Sequence, residues 1–275
     1  MMARLPKADE IVSHSGQYDE EWNFPASTHR RTLLIASTGR CGSHMLGRAM
    51  HATGRFGFPL EYCHPANLRI WGKKFGETEP VAILRKIIEH RTSPNGVFGL
   101  KMHFSHLRAF PNRKQLFEAL GDVRVVHLLR EDLAGQAVSN AIATQTGVWL
   151  SGMMGTGREP QYDEALILRS MRQIAADNAG WREFLGRAAI PSVLMTFSRV
   201  SADLPSAIRE IAEFADIDIS GVDIRSSPAT RKQGTSRNAE WVKRFKSANY
   251  DHMGSAYASI SAIPRMLAKL LLGRV

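Results

Sequence analysis

The chain predicts an α/β protein built on a central, mainly parallel sheet flanked by helices, and two observations carry that expectation. Four short apolar runs, Arg31–Ser37, Val97–His103, Arg124–Arg130 and Ser192–Phe197, are each bounded by Gly, Pro or polar turn residues, as buried strands are. Helical patterns lie between them, and strands that alternate with helices form a parallel sheet with helices on its faces. Size and composition agree: 275 residues, 44% hydrophobic and 23% charged, can bury a full core.

In chain order, residues 1–30 are polar and mixed and read as an irregular arm, with residues 31–275 as a single domain. The run Leu33, Leu34, Ile35, Ala36 breaks at Ser37-Thr38-Gly39-Arg40-Cys41-Gly42-Ser43 and gives way to a helical pattern. Such a strand–turn–helix presents backbone N–H groups and a helix N-terminus to one point, which suits an anion and phosphate above all. Arg40 adds a planar cationic fork, and Ser43 is the expected N-cap. The third strand ends at Arg130, and a helix carrying Ser139 follows. Residues 164–188 place Ile167, Met171, Ile174, Trp181 and Leu185 on one helical stripe, and Pro205–Ala215 forms a shorter amphipathic piece. Ligands of parallel sheets sit beyond the carboxyl ends of the strands, so the Gly39–Ser43 turn, Lys101 and Arg130 should share one rim.

Composition narrows the function. A net charge of +10 favours acidic partners. The dense basic stretch is Arg225–Lys246, whose aromatics Trp241 and Phe245 are spaced as a helix core stripe rather than as a stacking platform. Contact with nucleic acid is therefore not expected. No apolar run approaches the roughly 18 residues of a membrane span, and the first residues lack an apolar leader, so a cytoplasmic location is expected. Cys41 and Cys63 are too few for a disulfide framework, and the histidines are scattered along the chain, so no metal site is expected. The stretch Ile260–Val275 mixes apolar residues with Arg265, Lys269 and Arg274, which suits either docking on the core or peripheral contact with a membrane.

The anion-binding turn is not a Walker A loop, because no Lys follows Gly42, and G-R-C-G-S-H lacks the spacing of a dinucleotide fingerprint. Arg130 at a strand end, with Ser139 two turns into the next helix, can grip a second phosphate; paired with Glu131 or Asp132 it would be structural. The segment Arg231-Lys232-Gln233-Gly234-Thr235-Ser236-Arg237 is a basic loop running into a helix that begins at Ser236 or Asn238.

In these positions and this order the segments resemble the sulfotransferases that use 3′-phosphoadenosine 5′-phosphosulfate (PAPS). The nearer resemblance is to bacterial carbohydrate sulfotransferases of the mycobacterial trehalose-sulfating type. It rests on ASTGRCGSHML, Gly57–Tyr62 (GFPLEY), Pro94–Lys101, HLLREDLAGQAVS, Gln145–Trp149 and Ser236–Phe245, and spans about residues 32–248. The resemblance implies a three-layer, P-loop-like sulfotransferase fold and a sulfuryl transfer to a hydroxyl of a carbohydrate or glycoconjugate. It implies that Arg40, Cys41, Gly42, Ser43 and His44 hold the 5′-phosphosulfate, that Arg130 and Ser139 read the 3′-phosphate, and that Arg231, Lys232 and Arg237 close over it. Glu61 matches the family's proposed base, with His64 and His103 as the other candidates, and Lys101 would join Arg40 in stabilising the leaving group. No metal is implied, and relatives of this type suggest a homodimer. Cys41 and His44 depart from the hydroxyl residues usual in the loop, Gly39 lengthens it, Glu131 brings a negative charge to the second grip, and the segment from Tyr62 to Lys101 is short. The competing readings are a nucleotide-dependent kinase with a degenerate phosphate loop and a non-catalytic nucleotide- or polyanion-binding module.

Overall fold

A computed structural model describes residues 17–149, 153–224 and 235–260, with side chains up to residue 248. Four described strands, β1 (Arg31–Ser37), β2 (Val97–His103), β3 (Asp122–Leu129) and β4 (Ser192–Thr196), form one sheet in the order β2-β1-β3-β4. Every pairing is parallel. The two central strands are buried on both faces, which is why they read as continuous apolar runs rather than alternating ones.

Alternate side chains of these strands feed two cores. Leu34, Ala36, Phe98, Leu100 and Val125 pack with α2 (Pro65–Phe75), α3 (Pro80–Arg91), α4 (Arg113–Leu120) and Trp181 of α6 (Glu164–Ala188). Leu33, Ile35, Val126, Leu128 and Met195 pack with α1 (Ser43–Ala52) and α8 (Leu204–Phe214). A third cluster joins α5 (Leu133–Thr146), α6 and α9 (Ser236–Ile260), where Trp241 and Phe245 are buried as their spacing predicts. The result is the three-layer α/β/α architecture expected.

Several boundaries differ. β3 starts two residues before the expected Arg124 and stops before Arg130, which is therefore free of the ladder. Phe197 belongs not to β4 but to the short helix α7 (Phe197–Ala202), which Thr196 caps through its hydroxyl. Ser43 is the first residue of α1 and not its cap; the cap is Gly42, in the left-handed region at φ 88°. Residues 17–30 are irregular apart from a 3₁₀ turn at Glu20–Trp22, yet they are anchored. Buried Arg91 donates to the carbonyls of Gln17 and Asp19, and the Tyr18 ring meets Trp71 edge-on at 5.3 Å. Expectations that rest on residues 1–16, on Arg231 and Lys232, and on residues 261–275 lie outside the described residues. No helix among the described residues is long and apolar enough to cross a membrane.

Candidate active site

The parallel register sets the carboxyl ends of the strands side by side. Ser37 of β1 lies opposite His103 of β2, and Leu129 of β3 lies opposite Thr196 of β4. The turn after β1, the end of β2, Arg130 and the start of α7 therefore meet at one rim, as the sequence predicts.

Helix α5 fastens the turn. The buried Gln136 amide donates to Thr38 Oγ1 at 2.9 Å and to the Gly39 carbonyl at 2.7 Å. Arg40 adopts φ 65°, a conformation a side-chain-bearing residue takes only when its surroundings impose it. Its Nε donates to Ser139 Oγ at 3.0 Å, and its Nη1 donates to the Trp149 carbonyl. Arg130 Nη1 donates to the Arg40 carbonyl at 3.3 Å, and its guanidinium lies 5.2 Å from the centre of the Phe197 ring. Thus Arg40, Arg130 and Ser139 converge, but Ser139 is partnered with Arg40 rather than with Arg130. Burial, and then the neighbouring Arg130, lower the pKa of Arg40 from its ordinary value. Two cations held this close, with Asp132 3.9 Å from Arg130 Nη2, form a concentration of positive charge that suits an anion.

The Cys41 side chain is wholly buried in the core beneath the turn. Glu131 reaches across to α7. Its carboxylate accepts from the Ser198 hydroxyl and, at 3.4 Å, from the Ser198 N–H, at the start of α7. These hydrogen bonds, led by the Ser198 hydroxyl, lower its pKa to about 2. Arg237, at the start of α9, forms an ion pair with Glu159, and Lys246 lies 3.8 Å from Asp132, so α9 approaches the same rim.

The second half of the site surrounds Glu61. Leu60 bridges to Leu100 beside β2, and the Lys101 N–H donates to the Leu60 carbonyl at 2.9 Å, which places Glu61 next to the strand's polar end. The Asn67 amide donates to the Glu61 carbonyl at 2.7 Å, and the Tyr18 hydroxyl from the N-terminal arm donates to Asn67 at 2.8 Å. Lys101 Nζ lies 2.7 Å from Glu61 Oε1, His103 Nε2 at 3.4 Å and His44 Nε2 at 3.9 Å. Burial alone would raise the carboxyl pKa, but Lys101, His103, His44 and His106 outweigh it and hold Glu61 well below its ordinary value.

Histidines scattered in sequence are therefore gathered in space. His64 and His106 rings meet edge-on at 5.1 Å, and His103 stacks on His106 at 4.7 Å. Glu61, His103 and His106 each offer a potential ligand atom within 4.8 Å of the others, a grouping that sequence reasoning missed. Two signals were present: His64 precedes Pro65 as an N-cap does, and His103 and His106 stand three apart where a strand gives way to a turn.

Residues 32–248 match the family model described as Stf0 sulphotransferase. The chain is 24% identical to trehalose 2-sulfotransferase of Mycolicibacterium smegmatis, over 80% of this chain and 96% of that protein. It is 25% identical to trehalose 2-sulfotransferase of Mycobacterium tuberculosis, over 78% of this chain and 94% of that protein. A sulfotransferase from Alicyclobacillus acidocaldarius, known from its crystal structure, is 14% identical and superposes with a TM-score of 0.45, covering 79% of this chain and 92% of that one.

Proposed function

Since the chain belongs to the Stf0 sulphotransferase family, we propose that it moves a sulfuryl group from PAPS to a hydroxyl of a carbohydrate or glycoconjugate. The observation that carries this reading is the pairing, on one rim, of an anion grip (Arg40, Arg130, the turn amides) with a carboxylate–ammonium pair (Glu61 and Lys101) at the end of the adjacent strand. Sulfuryl transfer needs both: charge compensation for the leaving phosphate and an acceptor for the hydroxyl proton. In this reading Arg40, Lys101 and the N–H groups of Gly42, Ser43 and His44 meet the leaving group, while Arg130 and Ser139 meet the 3′-phosphate. Arg231, Lys232 and Arg237 close over the nucleotide. Glu61 takes the proton, and its place beside Lys101 keeps it ionised and ready to do so.

The family membership disfavours the kinase and the non-catalytic module. Trehalose is the acceptor named for the two mycobacterial relatives, and for this chain trehalose-like sugars, glycolipids and lipopolysaccharide are the acceptors to screen. A homodimer is part of the same proposal and rests on the sequence resemblance alone. The test is twofold. Thermal-shift measurements compare 3′-phosphoadenosine 5′-phosphate, 5′-AMP and ATP with magnesium. Radiolabelled PAPS is then offered with each acceptor class. Stabilisation by the 3′-phosphorylated nucleotide and label on a sugar are expected; stabilisation by ATP with magnesium alone would refute the reading.

A further inference from the structure

The imidazoles around Glu61 have their tautomers imposed by the backbone. His64 Nδ1 accepts the Ala66 N–H at 3.2 Å, capping α2. His106 Nδ1 accepts the His103 N–H at 3.2 Å, and the His103 ring takes the His106 backbone N–H in the reciprocal half of a capping box. The His103 nitrogen that faces Glu61 is Nε2, so its Nδ1 is the one engaged in capping. A ring nitrogen that accepts a backbone N–H carries no proton, and in a neutral imidazole the proton then sits on the other nitrogen. Burial keeps the rings neutral: it lowers the pKa of His64 and His103, and that of His106 well below its ordinary value.

We propose that His64, His103 and His106 are held as Nε2–H tautomers and that His103, whose Nε2 lies 3.4 Å from Glu61 Oε1, presents its N–H to that carboxylate, which makes His103 a positioning residue rather than a base and closes the cluster to divalent metals. A metal bridging Glu61 and His103 would need the His103 Nε2 lone pair, and freeing it would put a protonated Nδ1 against a backbone N–H. The Lys101 ammonium already lies against Glu61 Oε1. His103 Nε2 and Lys101 Nζ are both buried without an aligned hydrogen-bond partner, so their donor capacity is reserved for the site. The other charged groups facing the rings do not change the assignment. His44 approaches Glu61 from α1, Asp177 of α6 acts on His103, and Arg69 of α2 acts on His64. The role of Glu61 as proton acceptor rests on the sulfuryl-transfer reading; the tautomers do not.

Two-bond 1H–15N correlation spectra of the full chain, labelled with 15N-histidine, read the tautomers directly at neutral pH with and without Zn2+. Expected are a bare Nδ1 and a protonated Nε2 on all three rings, unchanged by the metal. A protonated Nδ1 on any of them, or saturable loss of their Nε2 signals on adding Zn2+, overturns the proposal. Turnover supplies a second arm. His103→Gln, whose side-chain amide replaces the ring donor, should keep turnover within about ten-fold, whereas loss of a general base costs roughly 10²–10⁴-fold. His103→Ala should move the acidic limb of kcat/KM to higher pH, because a carboxylate that loses an N–H donor binds its proton more tightly, and His103→Gln should restore it. A larger loss in His103→Gln, or no restoration, makes His103 the base. Should the wild-type chain transfer no sulfuryl group, the sulfuryl-transfer reading fails, while the spectra still decide the tautomers.

Discussion

Lys101 and Glu61 form an ion pair of 2.7 Å in which the lysine has no exposed surface and the carboxylate stays partly open to the rim. A buried ammonium is tolerated only with a partner, which Glu61 supplies. Glu61→Gln should reduce transfer by about 10²–10⁴-fold while leaving affinity for 3′-phosphoadenosine 5′-phosphate unchanged. Turnover like that of the wild type would remove Glu61 from its role.

The same pair is expected to matter for folding. Lys101→Met strands the carboxylate among donors too weak to neutralise it, and breaking a buried pair from one side costs about 3–5 kcal/mol. Denaturant titration checks this. A loss near zero would mean that the lysine contributes to chemistry alone.

Arg130→Ala should weaken 3′-phosphoadenosine 5′-phosphate by about 10–100-fold, the value of one or two charge-assisted hydrogen bonds, and 5′-AMP far less. Calorimetry with both ligands makes the comparison. Equal losses would show that Arg130 does not read the 3′ position.

His127 and Glu61 contribute to acid sensitivity with the same sign. Burial lowers His127 from 6.5 to about 4, so between those values the unfolded chain binds the proton first, and stability falls as pH drops. His127→Leu should flatten that slope by up to ~1.4 kcal/mol per pH unit. Glu61, held well below its ordinary 4.5, contributes stability above that value and loses it as pH falls through its lower folded value. Denaturation midpoints measured from pH 7 to pH 4 in both chains test the histidine part; parallel curves would exclude it.

Gly42→Ala probes the turn without touching a charge. An added Cβ would stand 2.6 Å from Phe197 Cδ2, at a φ of 88° that alanine adopts at a cost. Strain and overpacking together predict a loss of about 2–4 kcal/mol and a matching loss of nucleotide affinity, since Phe197 also lies against Arg130. Unchanged melting and binding would show that α7 yields freely.

The four strands, the helix at 164–188 and the rim on which Lys101 and Arg130 meet were legible because buried parallel strands write themselves as unbroken apolar runs. Glu61 could be singled out only through resemblance, since a carboxylate in a loop carries no periodic signal. The contact of Ser139 with Arg40, the inward turn of Cys41 and the gathering of His64, His103 and His106 were not legible. Each depends on which way a side chain leaves a turn or a strand end, and parallel pairing decides that between segments far apart in sequence. The contact of Glu131 with Ser198 was hidden for a related reason: Ser198 follows a strand that pairs with β3 only in three dimensions.

Because β1 is flanked by strands that arrive much later in the chain, a ribosome exposing only the first hundred residues displays the glycine turn without its second arginine, its α5 clasp or its α7 cover. Under the proposed reading, affinity for the nucleotide donor is therefore completed only when these later segments have folded, and topologies rich in distant pairings mature slowly. Under the same reading, ample donor would draw late intermediates toward the folded chain by mass action, so its scarcity would lower the amount of folded protein as well as the rate of transfer.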